Sequence, residues 1–186
     1  MNRQSRRTIS REYFSQERLA EHHFRSFNAF LDRGMQEVVD EKERIETDIG
    51  DKEGQEPVFV ELGDVRVETP RVREADGSEE LLYPQEARLR NITYAAPVFM
   101  EMAIVRGGEE EEEVVVDSTE TKVGRMPIMV GSRRCNIAEL TREELIDIGE
   151  DPVDPGGYFI VNGSERVLMT SEDLAPNKIL AEYDTK

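Results

Sequence analysis

Hydrophobic and polar positions give their sharpest pattern between Tyr158 and Met169. Tyr158-Phe159-Ile160-Val161 is followed by Asn162-Gly163, then by Ser164-Glu165-Arg166-Val167-Leu168-Met169. Asn-Gly supplies the two positive-φ positions of a type I′ turn, so the pattern predicts a tight antiparallel hairpin. Asp154-Pro155-Gly156-Gly157 punctuates the approach, and Pro155 and Gly157 resist helix. Strand alternation puts Phe159 and Val161 on one face, with Tyr158 and Ile160 on the other. In the second strand Val167 and Met169 oppose Arg166 and Leu168. A hairpin that is apolar on both sides needs cover from more of the chain.

Toward the N-terminus the period changes. From Leu19, the positions Ala20, His23/Phe24, Phe27 and Phe30/Leu31 recur at helical spacing. Gly34 interrupts, and Met35, Val38 and Val39 continue the stripe to about Ile45. This predicts one long helix bent at Gly34, or two helices with Gly34 in the C′ position. The phenylalanine stripe is expected to be core packing. Residues 1–9 are polar and basic, an arm expected to be mobile until docked, and Ser10 or Ser15 is placed to cap a helix.

Period-two patterns fill the middle. Val58–Leu62 and Val65–Thr69 alternate on either side of Gly63-Asp64, which predicts a second hairpin, with Pro70 limiting its end. Asp76-Gly77 marks a turn. Pro84 opens a short helix carrying Glu86, Arg88 and Arg90. Ile92–Val105 reads as a long strand bent at Pro97. Gly107-Gly108 and five consecutive glutamates form a solvated hairpin tip. Val114–Val116 returns, and Thr121–Val130 follows with a kink at Gly124. Thr141-Arg142-Glu143-Glu144 is a capping box opening a helix that ends at Gly149. Asn177–Tyr183 reads as a last strand or extended exit. Long helix, hairpins and short helices together give an α+β fold class.

The composition changes this picture in one respect. Charged residues make up 35% of the 186, and the formal net charge is −17; ordinary globular proteins carry about 25% charged residues. Such a charge argues against a phosphate-rich partner. Either the acid lies on the outside of a larger assembly, or the protein works in molar salt, where the Debye length is about 3 Å and an acidic surface repels itself little. The second reading points to a halophilic source. A lone cysteine, Cys135, allows no internal disulfide and fits a reducing cytoplasm. The start lacks the apolar core of a signal peptide. No apolar run approaches the ~20 residues that span a bilayer, so no membrane partner is expected.

Catalytic constellations are not found. Asp151 and Asp154 flank Pro152, where aspartates serve local backbone bonds. Gly156-Gly157 lacks the Gly-Lys-Ser/Thr ending of a phosphate loop. Ser164 follows Asn-Gly and does not sit in a G-x-S-x-G elbow. His22 and His23 are adjacent and face different directions on a helix, so a surface and a half-buried imidazole are expected, and no metal site.

Four long phrases carry a resemblance. They are His22–Asn28 (HHFRSFN), Pro84–Tyr94 (PQEARLRNITY), Pro127–Val130 (PIMV) with Ser132 and Cys135, and the stretch from Gly149-Glu150-Asp151-Pro152 through Asp154–Ile160 and Asn162–Val167 to Glu172–Lys178. In this order they resemble the N-terminal part of the second-largest subunit of multisubunit DNA-dependent RNA polymerases, in its archaeal and eukaryotic-nuclear form. The resemblance implies a protrusion domain over 19–186 after a basic N-terminal arm over 1–18, with a lobe expected beyond Lys186. It implies a non-catalytic wall of the nucleic-acid cleft in an enzyme that transcribes DNA into RNA from four ribonucleoside triphosphates. The partners implied are the largest subunit, the C-terminal half of the second-largest subunit, DNA and RNA. No cofactor is expected in this segment; Mg²⁺ at the active centre and Zn²⁺ belong elsewhere in the complex. The loop Leu174, Ala175, Pro176, Asn177 is implied to face the cleft. Basic residues near the family phrases are then candidates for phosphate contact: Arg133, Arg134, Arg166 and Lys178, with Arg88 and Arg90 next. Salt-bridging to nearby acids is the competing reading for each, Arg166 with Glu165 and Lys178 with Asp173. Second-largest subunits run to many hundreds of residues, so a fragment or truncated reading frame is expected. A free-standing acidic module that binds transcription factors or basic proteins through the Glu run is the alternative.

Overall fold

The computed structural model describes residues 3–16, 20–42, 44–47, 57–107, 114–169, 171 and 173. The expected last strand at Asn177–Tyr183 and the five-glutamate tip lie outside the described residues.

The helices come first in the chain. α1 spans Arg3–Gln16, so the basic start is helical from its third residue, with Ser10 and Ser15 inside the helix and not at its cap. α2 covers Glu21–Ala29, and a π-helical turn, Phe30–Gly34, joins it to α3, Met35–Asp40. The single long N-terminal helix expected from the stripe is therefore a chain of short segments. Gly34 has helical φ/ψ and is no C′ residue. The Phe30 ring lies over it, and a Cβ at Gly34 would come within 2.9 Å of that ring. The stripe also ends early, because Ile45 belongs to a strand, β1 (Arg44–Glu46).

Four antiparallel strands form the main sheet in the order β1-β2-β5-β6. β2 is Val58–Val67, β5 is Ala95–Arg106 and β6 is Val114–Pro127. β2 corrects the hairpin expected over 58–69. Leu62 pairs with Met102 and Val65 with Met100, so Gly63 and Asp64 together face Glu101. That two-against-one count is a β-bulge, and the strand runs on. The Gln36 amide of α3 satisfies the disturbed ladder: its Oε1 accepts from the Val65 amide at 2.9 Å and its Nε2 donates to the Gly63 carbonyl at 3.4 Å. A similar bulge at Val123, between Lys122↔Phe99 and Gly124↔Val98, gives the kink expected near Gly124. Between β2 and β5 come a small hairpin, β3 (Arg71–Arg73) with β4 (Glu79–Leu81), and α4 (Pro84–Leu89), which begins with Pro84 in its first turn. α5, Arg142–Asp147, has both hydrogen bonds of the Thr141/Glu144 capping box. β7 (Phe159–Val161) and β8 (Ser164–Arg166) close the described chain, joined by Asn162 at φ 49° and Gly163 at φ 75°.

The core sits at one end of the main sheet. Val67, Ala96 and Val98 from the sheet meet Leu82, Ala87, Tyr94, Ile128, Val130 and Cys135. Tyr158 and Ile160 enter from β7 and the residue before it. A second cluster, Phe24, Met129 and Phe159, lies on the other side of the hairpin. Phe159 and Ile160 are thus buried on opposite faces of β7, but Val161 and all of β8 are exposed, and Val167–Met169, expected to continue the second strand, lie beyond it and exposed.

Candidate functional site

The hairpin is stitched into the body by its backbone. The Tyr94 amide donates to the Ile160 carbonyl at 3.0 Å, and the Val130 amide donates to the Tyr158 carbonyl at 2.8 Å. The Gly163 amide reaches the Ile92 carbonyl at 3.1 Å. The preceding glycines let α2 approach. Gly156 and Gly157 have φ of 67° and 86°, and a Cβ on them would come within 2.5 Å of the Val130 carbonyl oxygen and of Ala20 Cβ, respectively. Phe24 of α2 packs over both. Asp151 and Asp154 make the local turns expected, accepting from the Val153 and Gly156 amides at 2.9 Å.

One arginine ties this stretch to α4. Arg88 Nε donates to Glu165 of β8 at 2.9 Å. Its Nη1 lies 3.5 Å from Glu150 and its Nη2 3.6 Å from Asp154. Nη2 also donates to the Tyr158 hydroxyl, which in turn donates to Asp154. Burial alone would lower the Arg88 pKa, but Tyr158, Glu165 and Glu150 outweigh it and hold the guanidinium more firmly protonated than usual. Burial pushes Glu150 above the usual carboxylate range, against the Gln85 amide and Arg88, which favour its charge. The Tyr158 phenol is raised by burial and by the Asp154 carboxylate. Sequence reasoning saw Arg88 as a candidate contact and missed this hub. Its partners lie up to 77 residues away in the chain, and no local pattern announces them.

The other candidates fall into two groups. Arg90 is paired with Glu74 at 2.6 Å and Glu86 at 2.9 Å, and Arg133 with Asp32 across an exposed surface. Arg134 and Arg166 are exposed and make no ion pair among the described residues. The expected Arg166–Glu165 pairing is replaced by Arg88–Glu165. Lys178 and the loop Leu174, Ala175, Pro176, Asn177 lie outside the described residues. Arg133 and Arg134 share a turn between β6 and α5, and Arg166 lies at the rim of a groove of about 870 Å³. His23, Phe27, Phe30, Met129 and Phe159 line that groove, and Leu168 and Met169 stand exposed at its edge. His22 is exposed and His23 half-buried as expected, yet their rings meet at 4.0 Å. Among the described residues no group of three or more His, Cys, Asp or Glu is placed to hold a metal, and no helix is long and apolar enough to cross a membrane.

Comparison with known proteins supplies what this geometry lacks. A family model described as RNA polymerase beta subunit matches residues 18–182. The DNA-directed RNA polymerase subunit Rpo2N of Halobacterium salinarum is 81% identical over 186 residues, which cover 100% of this chain and 36% of that protein. The Rpo2N subunit of Methanothermobacter thermautotrophicus is 44% identical over 170 residues, 91% of this chain and 31% of that protein. Rpo2 of Saccharolobus solfataricus is 45% identical over 170 residues, 91% of this chain and 14% of that protein. The chain therefore spans about a third or less of the length of these relatives. The halophilic character expected from the acid excess agrees with the Halobacterium relative. With the match covering nearly the whole chain, this protein belongs to the RNA polymerase beta subunit family, as an N-terminal portion of the archaeal second-largest subunit.

Proposed function

We propose that the chain is the protrusion of a DNA-directed RNA polymerase, a wall of the nucleic-acid cleft that positions template and transcript without taking part in bond formation. The family match over residues 18–182 carries this reading. The fold fits it: a four-stranded sheet and a hairpin anchored in the core by Phe159 and Ile160 make a scaffold. Bond formation needs carboxylates converging on Mg²⁺, and that chemistry is assigned to the largest subunit, with Zn²⁺ bound elsewhere in the complex. The partners are the largest subunit, the remainder of the second-largest subunit, DNA and RNA, in the cytoplasm. No observation favours the free-standing acidic module.

Within this reading Arg134 and Arg166 are the first candidates for phosphate contact, since neither is engaged by an acid among the described residues. Arg133 joins them, because an exposed pair such as Arg133–Asp32 is worth at most about 1 kcal/mol and exchanges readily for a phosphate. Arg88 and Arg90 hold structure together. Lys178 and Leu174–Asn177 remain cleft-facing candidates by resemblance. The test is the assembled enzyme carrying Arg133→Ala and Arg134→Ala. Each lost phosphate contact lowers the log–log salt slope of DNA binding by about 0.9, so a fall of nearly two units is expected. An unchanged slope removes both residues from the interface.

A further inference from the structure

The basic start of the chain carries a feature that the family relation does not explain. α1 covers Arg3–Gln16, and the family match begins only at residue 18, after α1 has ended. The Halobacterium relative, by contrast, matches over the whole chain. Residues 1–11 hold four arginines and no acid, in a chain with 41 acidic residues and only 24 basic ones. Arg3, Arg7 and Arg11 recur every fourth residue, and Arg6 lies three after Arg3, so all four share one contiguous face of the helix. All are exposed, and among the described residues none makes an ion pair. Ile9 and Tyr13, each 57% exposed, form a short apolar strip that borders the arginine face at Arg6.

From these observations we infer that α1 is a duplex-DNA-binding element that lays its arginine face along a phosphate backbone; the inference rests on the chain's working inside the polymerase. Four exposed arginines against one acid, Glu12, which borders Arg3, Arg7 and Arg11, leave the face strongly positive and complementary to a polyanion. Their spacing of about 6 Å along the axis suits a partner with regularly repeated charges better than a single anion. The arginines repeat at a fixed rise along one helix, which suits the regular backbone of a duplex better than a flexible single strand. The helix uses arginine and no lysine. In molar salt a point charge is screened within about 3 Å, so contact there depends on direct bonds, and a guanidinium makes two parallel ones to a phosphate. Attachment to an enzyme already on DNA raises the local concentration of phosphate around the helix, which offsets the weakness of each contact. The Ile9/Tyr13 strip is too small to hold the helix on a bilayer and suits packing against protein.

The experiment compares assembled polymerases carrying wild-type chain, Arg3→Ser/Arg6→Ser/Arg7→Ser/Arg11→Ser, or lysine at the same four positions. Binding to duplex DNA, to single-stranded RNA and to anionic lipid vesicles is measured across a salt series. Serine is expected to lower the duplex-DNA salt slope by about 3 or more, with lysine close to wild type. Crosslinks from residues 3–11 to DNA are expected in the wild type and lost with serine. An unchanged slope in an intact serine enzyme overturns the inference, as does a loss confined to RNA or to vesicles. If the serine enzyme fails to assemble while the lysine enzyme assembles, α1 serves subunit contacts and the inference also falls. A wild-type chain that never joins the polymerase defeats the functional reading itself, a result distinct from all of these.

Discussion

Glu150 is only 6% exposed, and of the charged side chains described it alone is buried. Its Oε1 accepts from the Gln85 amide at 2.6 Å, and Arg88 stands 3.5 Å away. Burial nevertheless dominates and raises its pKa. A carboxylate whose folded pKa is raised takes up a proton on folding. Its contribution is therefore fully present below the unfolded value of about 4.3 and is lost as pH rises through the higher folded value. Asp76 and Glu144 run the other way. Hydrogen bonds from Ser78 and Thr141 lower their pKa, so their contribution is lost as pH falls. Glu150→Gln should keep the Gln85 bond and remove the titration. Denaturant midpoints measured in molar salt should then lose the gain that wild type shows as pH falls toward about 4.3. A constant offset between the two proteins at every pH would show that the Gln85 bond and Arg88 cancel burial, and a wild type that weakens relative to Glu150→Gln as pH falls would show that they outweigh it. At this scale the sequence was readable where partners are local, as with the turns of Asp151 and Asp154. It was silent on Arg88, because ion pairs to Glu150 and Glu165 depend on which strands meet.

The elements divide by the same logic. Asn162-Gly163 is a complete local instruction, and the hairpin stands where that dipeptide puts it. The Thr141 capping box and Pro84 at a helix start are likewise local. Residues 58–69 were misread because alternation on both sides of Gly63-Asp64 suits either a hairpin or one bulged strand. The choice is made by β5, whose Met100, Glu101 and Met102 accept the longer partner. The long N-terminal helix failed for a comparable reason: the stripe of apolar residues has no means of announcing a π turn or a switch into β1. The docking of α2 on the hairpin gives an element-scale prediction. Gly149 has φ of 81° with nothing within 4 Å of a Cβ, so Gly149→Ala should cost backbone strain alone, about 1 kcal/mol. Gly157→Ala adds a clash with Ala20 Cβ and should cost about 2 kcal/mol more. Adding Ala20→Gly should recover much of that difference, as measured by denaturant unfolding of a double-mutant cycle. An unrecovered loss would mean that α2 does not rest on this glycine.

At the scale of the whole molecule, charge and family phrases are both legible in the sequence. The phrases gave the family, which the match over residues 18–182 establishes. The net charge of −17 argues against a nucleic-acid partner, yet the charge is unevenly laid out. α1, Arg134 and Arg166 offer positive groups to an anion, while Arg66, Arg88 and Arg90 are held by glutamates. The central claim is that this chain lines a transcribing enzyme and leaves bond formation to its neighbours. The most direct measurement is affinity purification of the chain, tagged at its own gene, from a halophilic archaeon at native salt, followed by template-dependent RNA synthesis. The account predicts recovery of the largest polymerase subunit in equal amount, with RNA synthesis by the recovered assembly. Recovery of the chain without that subunit, from cells whose polymerase is fully active and lacks it, would contradict the account.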